Sequence, residues 1–183
     1  REHELAAAAG LLATTRLLTL TGPGGTGKTR LALQLAASVA DDHPDGTWFV
    51  ALEPLRDPTL VLPAVARTLG AFQKPAESAL DALATAVGDR RMLFVLDNFE
   101  QVIEAAADIG DLLRACPRVH VIVTSRAVLR VSGEQEYVVP GLPAPPDTSR
   151  LSRVELESLP AAVRHPDPAG LGQYEAVRLF IAR

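Results

Sequence analysis

Arg16-Leu-Leu-Thr-Leu-Thr-Gly-Pro-Gly-Gly-Thr-Gly-Lys-Thr29 decides how the rest of this chain is read. Its first six residues are a compact, β-favouring apolar run closed by a glycine-rich turn, which predicts a buried strand. Leu31, Ala32, Leu35, Ala36 and Val39 then recur at helical spacing, so a helix over residues 28–40 begins inside that turn. Between strand and helix, Gly22 to Thr29 fits G-x-x-x-x-G-K-T, in the context where that pattern holds a polyphosphate. Glycines let successive backbone amides curl around phosphate oxygens, and the helix start adds its partial positive charge. The expected cradle is Gly22, Pro23, Gly24, Gly25, Thr26, Gly27, Lys28 and Thr29. Lys28 is expected to reach the β- and γ-phosphates and the Thr29 hydroxyl to ligate magnesium, which makes ATP or ADP with Mg2+ the expected ligand. Arg30 follows on the helix, either beside the phosphates or as a surface residue.

Outward from this unit the pattern repeats. Thr47-Trp-Phe-Val-Ala-Leu52 predicts a second strand, and Asp57-Pro58 supplies an N-cap with proline at the first helical position for a helix to Leu69. Residues 79–87 predict another amphipathic helix. Met92-Leu-Phe-Val-Leu96 is a continuous apolar run, as in a central strand covered on both faces, and ends in Asp97. Phe99, Val102, Ile103, Ala106, Ile109 and Leu113 predict one further helix. Residues 119–123 give a fourth strand and residues 136–139 a fifth. Strands separated by helices of this length need right-handed crossovers, hence an α/β fold: a three-layer domain with a mainly parallel five-stranded sheet and helices on both faces. Trp48, Phe49 and Phe94 are expected in its core.

Two further strand ends carry chemistry. Asp97 stands where a strand-end carboxylate faces nucleotide-bound magnesium, and it serves equally as an N-cap for the segment after it. Val121-Ile-Val-Thr-Ser-Arg126 brings Thr124, Ser125 and Arg126 to the same edge. Arg126 there either meets the γ-phosphate or is a solvated loop arginine. Many phosphate-loop ATPases carry a glutamate directly after the strand-end aspartate, whereas this chain has Asn98. Glu100 and Glu53 remain as candidates for the base, each equally an ordinary surface carboxylate, so slow hydrolysis is expected.

Composition narrows the class. A chain of 183 residues that is 48% hydrophobic and 22% charged can bury one sizeable core. A net charge of -4 argues against direct nucleic-acid binding by this stretch. One cysteine, Cys116, permits no internal disulfide and fits a reducing compartment, so the cytoplasm is the expected location. No apolar run approaches the ~20 residues of a bilayer span. His3, His43, His120 and His165 have no metal-ligand spacing. Prolines 140, 143, 145, 146, 160, 166 and 168 mark a composition shift. The expected organisation is a nucleotide-binding domain over residues 1–140, a proline-rich connector over 141–172 with a short helix near 153–162, and the start of a following helical domain over 173–183. The first residue is Arg1 and the last stretch stops within a helical pattern, so the chain reads as a piece of something larger.

With these residues in hand, the chain resembles the STAND class of signal-transduction ATPases, close to the NB-ARC type, particularly the ATPase modules of large bacterial transcriptional regulators. Leu20 to Arg30, Trp48 to Leu52, Phe94-Val-Leu-Asp-Asn-Phe-Glu100 and Val123-Thr-Ser-Arg126 look like family blocks, and Arg1-Glu-His-Glu-Leu5 looks like the end of the Gly-Arg-Glu box. The resemblance implies that Pro143 packs against adenine and that residues 174–183 begin the helical segment before a winged-helix domain. It further implies a switch in which ADP holds a closed form and ATP permits opening and homo-oligomerisation, with other domains of the same polypeptide as partners. A small-molecule kinase using the same loop and a nucleotide-binding scaffold without turnover remain as alternatives.

Overall fold

The structure, a computed structural model, describes residues 1–71, 74 and 76–141. The chain divides into two units, Arg1–Pro140 and Gly141–Arg183. Pro143, the connector beyond Gly141 and the expected final helix lie outside the described residues.

In the first unit, helix α1 (Glu2–Leu12) leads into strand β1 (Leu17–Thr21), and α2 (Lys28–Ser38) follows the glycine turn. Strand β2 (Thr47–Ala51), helices α3 (Val61–Leu69) and α4 (Ala79–Val87), and strand β3 (Leu93–Asp97) come next. A 3-10 segment (Phe99–Ala105), helix α5 (Ala106–Ala115), β4 (His120–Ser125) and β5 (Glu134–Val138) complete it. The sheet runs β2-β3-β4-β1-β5, and every pairing is parallel. The three-layer parallel architecture expected from the strand-helix alternation is therefore present.

Two cores flank the sheet. On one face Phe94, Leu96, Val121 and Val123 pack with Val65, Leu83, Ile109 and Leu112 from α3, α4 and α5. On the other, Leu18, Leu20, Val95 and Ile122 meet Ala8 and Leu12 of α1 and Leu31 and Leu35 of α2. Strands β1 and β3 are buried along their whole length, β3 through its apolar run Leu93–Leu96 and β1 through three leucines and two threonines whose hydroxyls donate to Glu134 and Glu136. Each such side chain contributes about 1.5–3 kcal/mol of burial, set against the entropy of ordering the chain.

Several local expectations are corrected. The helix expected through Phe99 and Leu113 is broken: Val102 (φ -138, ψ 40) is not helical, and a 3-10 stretch precedes α5. Phe99 and Val102 are both fully buried, and the break lets both side chains enter the same core. Phe49 is 41% exposed rather than core. It pairs with Val95, on the face covered by α1 and α2, but β2 is the sheet edge, which leaves Phe49 outside the buried cluster there. Trp48 points the other way and is partly buried. Helix α1 was not foreseen. Its Ala-rich sequence has strong intrinsic helicity, with Glu2 and Glu4 suitably placed in the first turn.

The link from β4 to β5 contains no helix. Glu134 organises it, its carboxylate accepting from the amides of Leu129 (2.8 Å), Arg130 (2.7 Å) and Val131 (3.3 Å) and from the Thr19 hydroxyl (2.6 Å). At the opposite edge from the glycine turn, Arg16 donates to the carbonyls of Leu113, Cys116 and Pro117 and so caps the end of α5. No helix of the described residues is long and apolar enough to cross a membrane.

His43 and His120 meet edge to face, ring centroids 4.9 Å apart. His43 Nδ1 lies 2.9 Å from the Val39 carbonyl, while among the described residues His43 Nε2 and His120 Nδ1 are buried without hydrogen-bond partners. Burial first, then the neighbouring His43, Arg16 and Arg91 charges, hold the His120 imidazole below its usual range, with Asp42 opposing. The folded state then binds fewer protons than the unfolded chain, so stability is full above the unfolded value of about 6.5 and falls as pH drops below it. The urea midpoint is expected to drop between pH 7.5 and pH 5.5, and His120→Gln to flatten that slope; an equally steep slope in a folded variant would reject the assignment.

Candidate nucleotide site

The glycine turn is built by backbone demands that sequence pattern alone only implies. Gly22 sits at φ 146, and a Cβ there would lie 3.0 Å from the Val139 carbonyl oxygen. Gly27, at φ 84, is the N-cap of α2, a left-handed conformation that costs glycine nothing. The Thr26 hydroxyl closes the turn on the Pro23 carbonyl at 3.1 Å. Among the described residues, no protein acceptor takes the amides of Gly25, Thr26, Gly27 and Lys28. A run of unpaired amides at a helix start is the arrangement that receives an anion.

Lys28 is buried, and its Nζ donates to the carbonyls of Gly22 (2.8 Å) and Pro23 (2.9 Å), leaving one of three donors over. Thr29 Oγ1 donates to Asp97 Oδ1 at 2.7 Å, so two residues 68 positions apart are brought together. Arg30 is exposed on α2.

Asp97 is 6% exposed. The same Oδ1 accepts from the Thr124 hydroxyl at 2.6 Å, and Thr124 Oγ1 in turn accepts from the Asn98 amide at 3.0 Å. Asn98 adopts φ 61, a left-handed conformation that asparagine tolerates better than most residues. The carboxylate thus does not cap the following segment, whose N-cap position shows no side-chain bond. Thr124 as the partner of Asp97 was missed by sequence reasoning. The signal that could have found it is strand adjacency, since β3 and β4 pair directly.

Arg126, 66% exposed, donates from Nε to Glu100 Oε1 at 3.1 Å. Glu53 is exposed just beyond β2, with β3 and β4 lying between its strand and β1. The two base candidates are therefore differently placed, Glu100 against an arginine and Glu53 toward the far edge. A further contact was not anticipated: Arg1 donates to the Thr26 carbonyl at 2.7 Å and to the Pro140 carbonyl at 3.2 Å.

A glycine loop between β1 and α2, a buried strand-end carboxylate on β3 and a parallel sheet define a P-loop ATPase-class domain. Residues 5–128 match the AAA domain family model, and the chain belongs to that family. It is 44% identical over 133 residues to a candidate HTH-type transcriptional regulator of Mycobacterium tuberculosis, across 72% of this chain and 15% of that protein. It is 34% identical over 133 residues to the regulatory protein AfsR of Streptomyces coelicolor, across 67% of this chain and 13% of AfsR. The chain thus spans a small part of the length of these relatives. Among solved structures, Cdc6p of Pyrobaculum aerophilum aligns with a TM-score of 0.54 at 19% identity, over 79% of this chain and 45% of its own. A Drosophila ORC structure bound to GC-rich DNA and Cdc6 aligns at 0.57 and 14%, over 87% of this chain and 64% of that one. These two likenesses concern the fold.

Thr124→Val keeps shape but deletes a donor to Asp97 and an acceptor for Asn98. The expected loss is about 1–3 kcal/mol of unfolding free energy, read by urea titration; a midpoint equal to wild type would reject the role given to this hydroxyl.

Proposed function

We propose that this chain is the nucleotide-dependent switch module, NB-ARC-like in type, of a larger regulatory protein, binding ATP or ADP with Mg2+ at Gly22 to Thr29 and hydrolysing ATP slowly. The observation that carries the reading is the Thr29–Asp97 pair beside a loop of unaccepted amides. Hydroxyl and carboxylate oxygens are the hard donors magnesium selects, and polyphosphate oxygens together with water would complete its shell. Thr29 and Asp97 would hold the ion, which when bound neutralises charge on the phosphates. The loop amides would bind the phosphate oxygens, and Lys28 would exchange one or both loop carbonyls for a β- or γ-oxygen. Arg126 would meet the γ-phosphate from β4, the strand next to β1. A ligand shifts a two-state equilibrium only by its differential affinity for the two states, so such a γ-phosphate contact is where ATP and ADP would differ.

The regulator relatives support the switch over a metabolite kinase. Partners would be other domains of the same polypeptide, with homo-oligomerisation in the ATP form, and the location would be cytoplasmic. Direct nucleic-acid contact is not proposed for this stretch, whose net charge is -4. A second reading, a nucleotide-binding scaffold without turnover, is favoured by Asn98 after Asp97 and by Glu100 lying against Arg126.

Lys28→Ala is expected to weaken Mg-ATP binding by roughly 10- to 100-fold, the value of charge-assisted hydrogen bonds, while circular dichroism stays unchanged. Calorimetric titration of both proteins measures this. Equal affinity in a folded variant would remove Lys28 from the site, and phosphate release at the uncatalysed rate would select the scaffold.

A further inference from the structure

Glu100 and Arg126 leave the carboxyl ends of neighbouring strands, β3 and β4, and meet although 26 residues separate them. They differ in freedom. Arg126 is 66% exposed and its side chain would otherwise sample many rotamers, whereas Glu100 is 17% exposed. Glu100 also sits on a short turn pinned by fully buried Phe99 and Val102. The fixed partner here is the carboxylate.

The mode of contact is informative. Arginine–carboxylate pairs are frequently two-pronged, with both oxygens on two guanidinium nitrogens. Here, among the described residues, Nε alone donates, to Oε1, while Oε2 is buried and has no partner. Among the described residues neither Nη nitrogen of Arg126 bonds a protein acceptor. Of five guanidinium donors, one is spent on Glu100 and four remain on the Nη groups, one of them parallel to Nε–H and three on the other edges of the same plane.

We infer that Glu100 is a positioning residue for nucleotide selectivity: it holds Arg126 by Nε so that both Nη groups are presented, already ordered, to the terminal phosphate of a triphosphate. The inference rests on the nucleotide-site reading above and adds to it the residue that makes the arginine selective. ADP has no phosphate there, so the contribution of Glu100 belongs to ATP alone. The same bond places Glu100 in a supporting role to Arg126 rather than in charge of activating water.

Titrations of the full chain with Mg-ADP and with the Mg complex of a β,γ-imido triphosphate test this without any turnover. Glu100→Ala is expected to weaken triphosphate binding about fivefold, the upper range for a partly exposed ion pair, and to leave ADP within about twofold. Glu100→Gln, which keeps an acceptor for Nε, is expected to lose less. In an Arg126→Ala background, Glu100→Ala is expected to change nothing further, since the group it orders is gone. Tighter triphosphate binding in Glu100→Ala would show that the carboxylate competes with phosphate, and would overturn the inference. So would equal weakening of both nucleotides, or full additivity with Arg126→Ala. A wild-type chain that binds neither nucleotide would overturn the site reading itself, and this inference with it.

Discussion

One carboxylate oxygen organises the edge of the sheet at which the glycine loop lies. Asp97 Oδ1 receives hydroxyl bonds from Thr29 on α2 and Thr124 on β4, and so joins the helix after the glycine loop to two central strands. A carboxylate buried to this depth is tolerated only where donors replace the water it has lost. Thr124 extends the arrangement by one step, since its oxygen takes the Asn98 amide as its proton goes to Asp97. Asn98 is thereby fixed in the left-handed turn that starts the 3-10 segment, and that segment carries Glu100 to Arg126. Thr29 after the loop, Thr124, Asn98 and the Glu100–Arg126 pair are consequently parts of one frame, with Asp97 at its centre.

Membership of the AAA domain family and identity to regulators that are many times longer give this frame its context. The sheet order puts β1 between β4 and β5, and β4 between β1 and β3. The glycine loop, Arg126 and Asp97 therefore leave three successive strands at one edge, where ligands of parallel α/β sheets bind. The opposite edge is occupied by structural work, with Arg16 capping α5 and Glu134 shaping the link to β5. Chemistry and folding devices are separated by the length of a strand.

Much of this was legible in the chain itself. A leucine- and threonine-rich run announced β1, an unbroken apolar run announced β3, and glycine spacing announced the loop, because these signals are local. What could not be read depended on neighbours. Phe49 looks like any core aromatic until β2 is known to be an edge strand. Thr124 and Glu100 find their partners across the β3–β4 boundary, which no periodicity encodes. The broken helix after Asn98 keeps a helical spacing of apolar residues while its backbone departs from helix at Val102. Helix α1 escaped because a run of alanines has no polar face against which a period can be seen.

The Arg1 guanidinium has a mechanical consequence. It holds the Thr26 carbonyl within the glycine loop and the Pro140 carbonyl where the chain leaves the first compact unit. Entrance, loop and exit are tethered to a single planar group whose reach is a few ångströms. Because the Pro140 carbonyl and the Thr26 carbonyl share one guanidinium, a shift of the backbone at Pro140 alters the contacts available to the glycine loop.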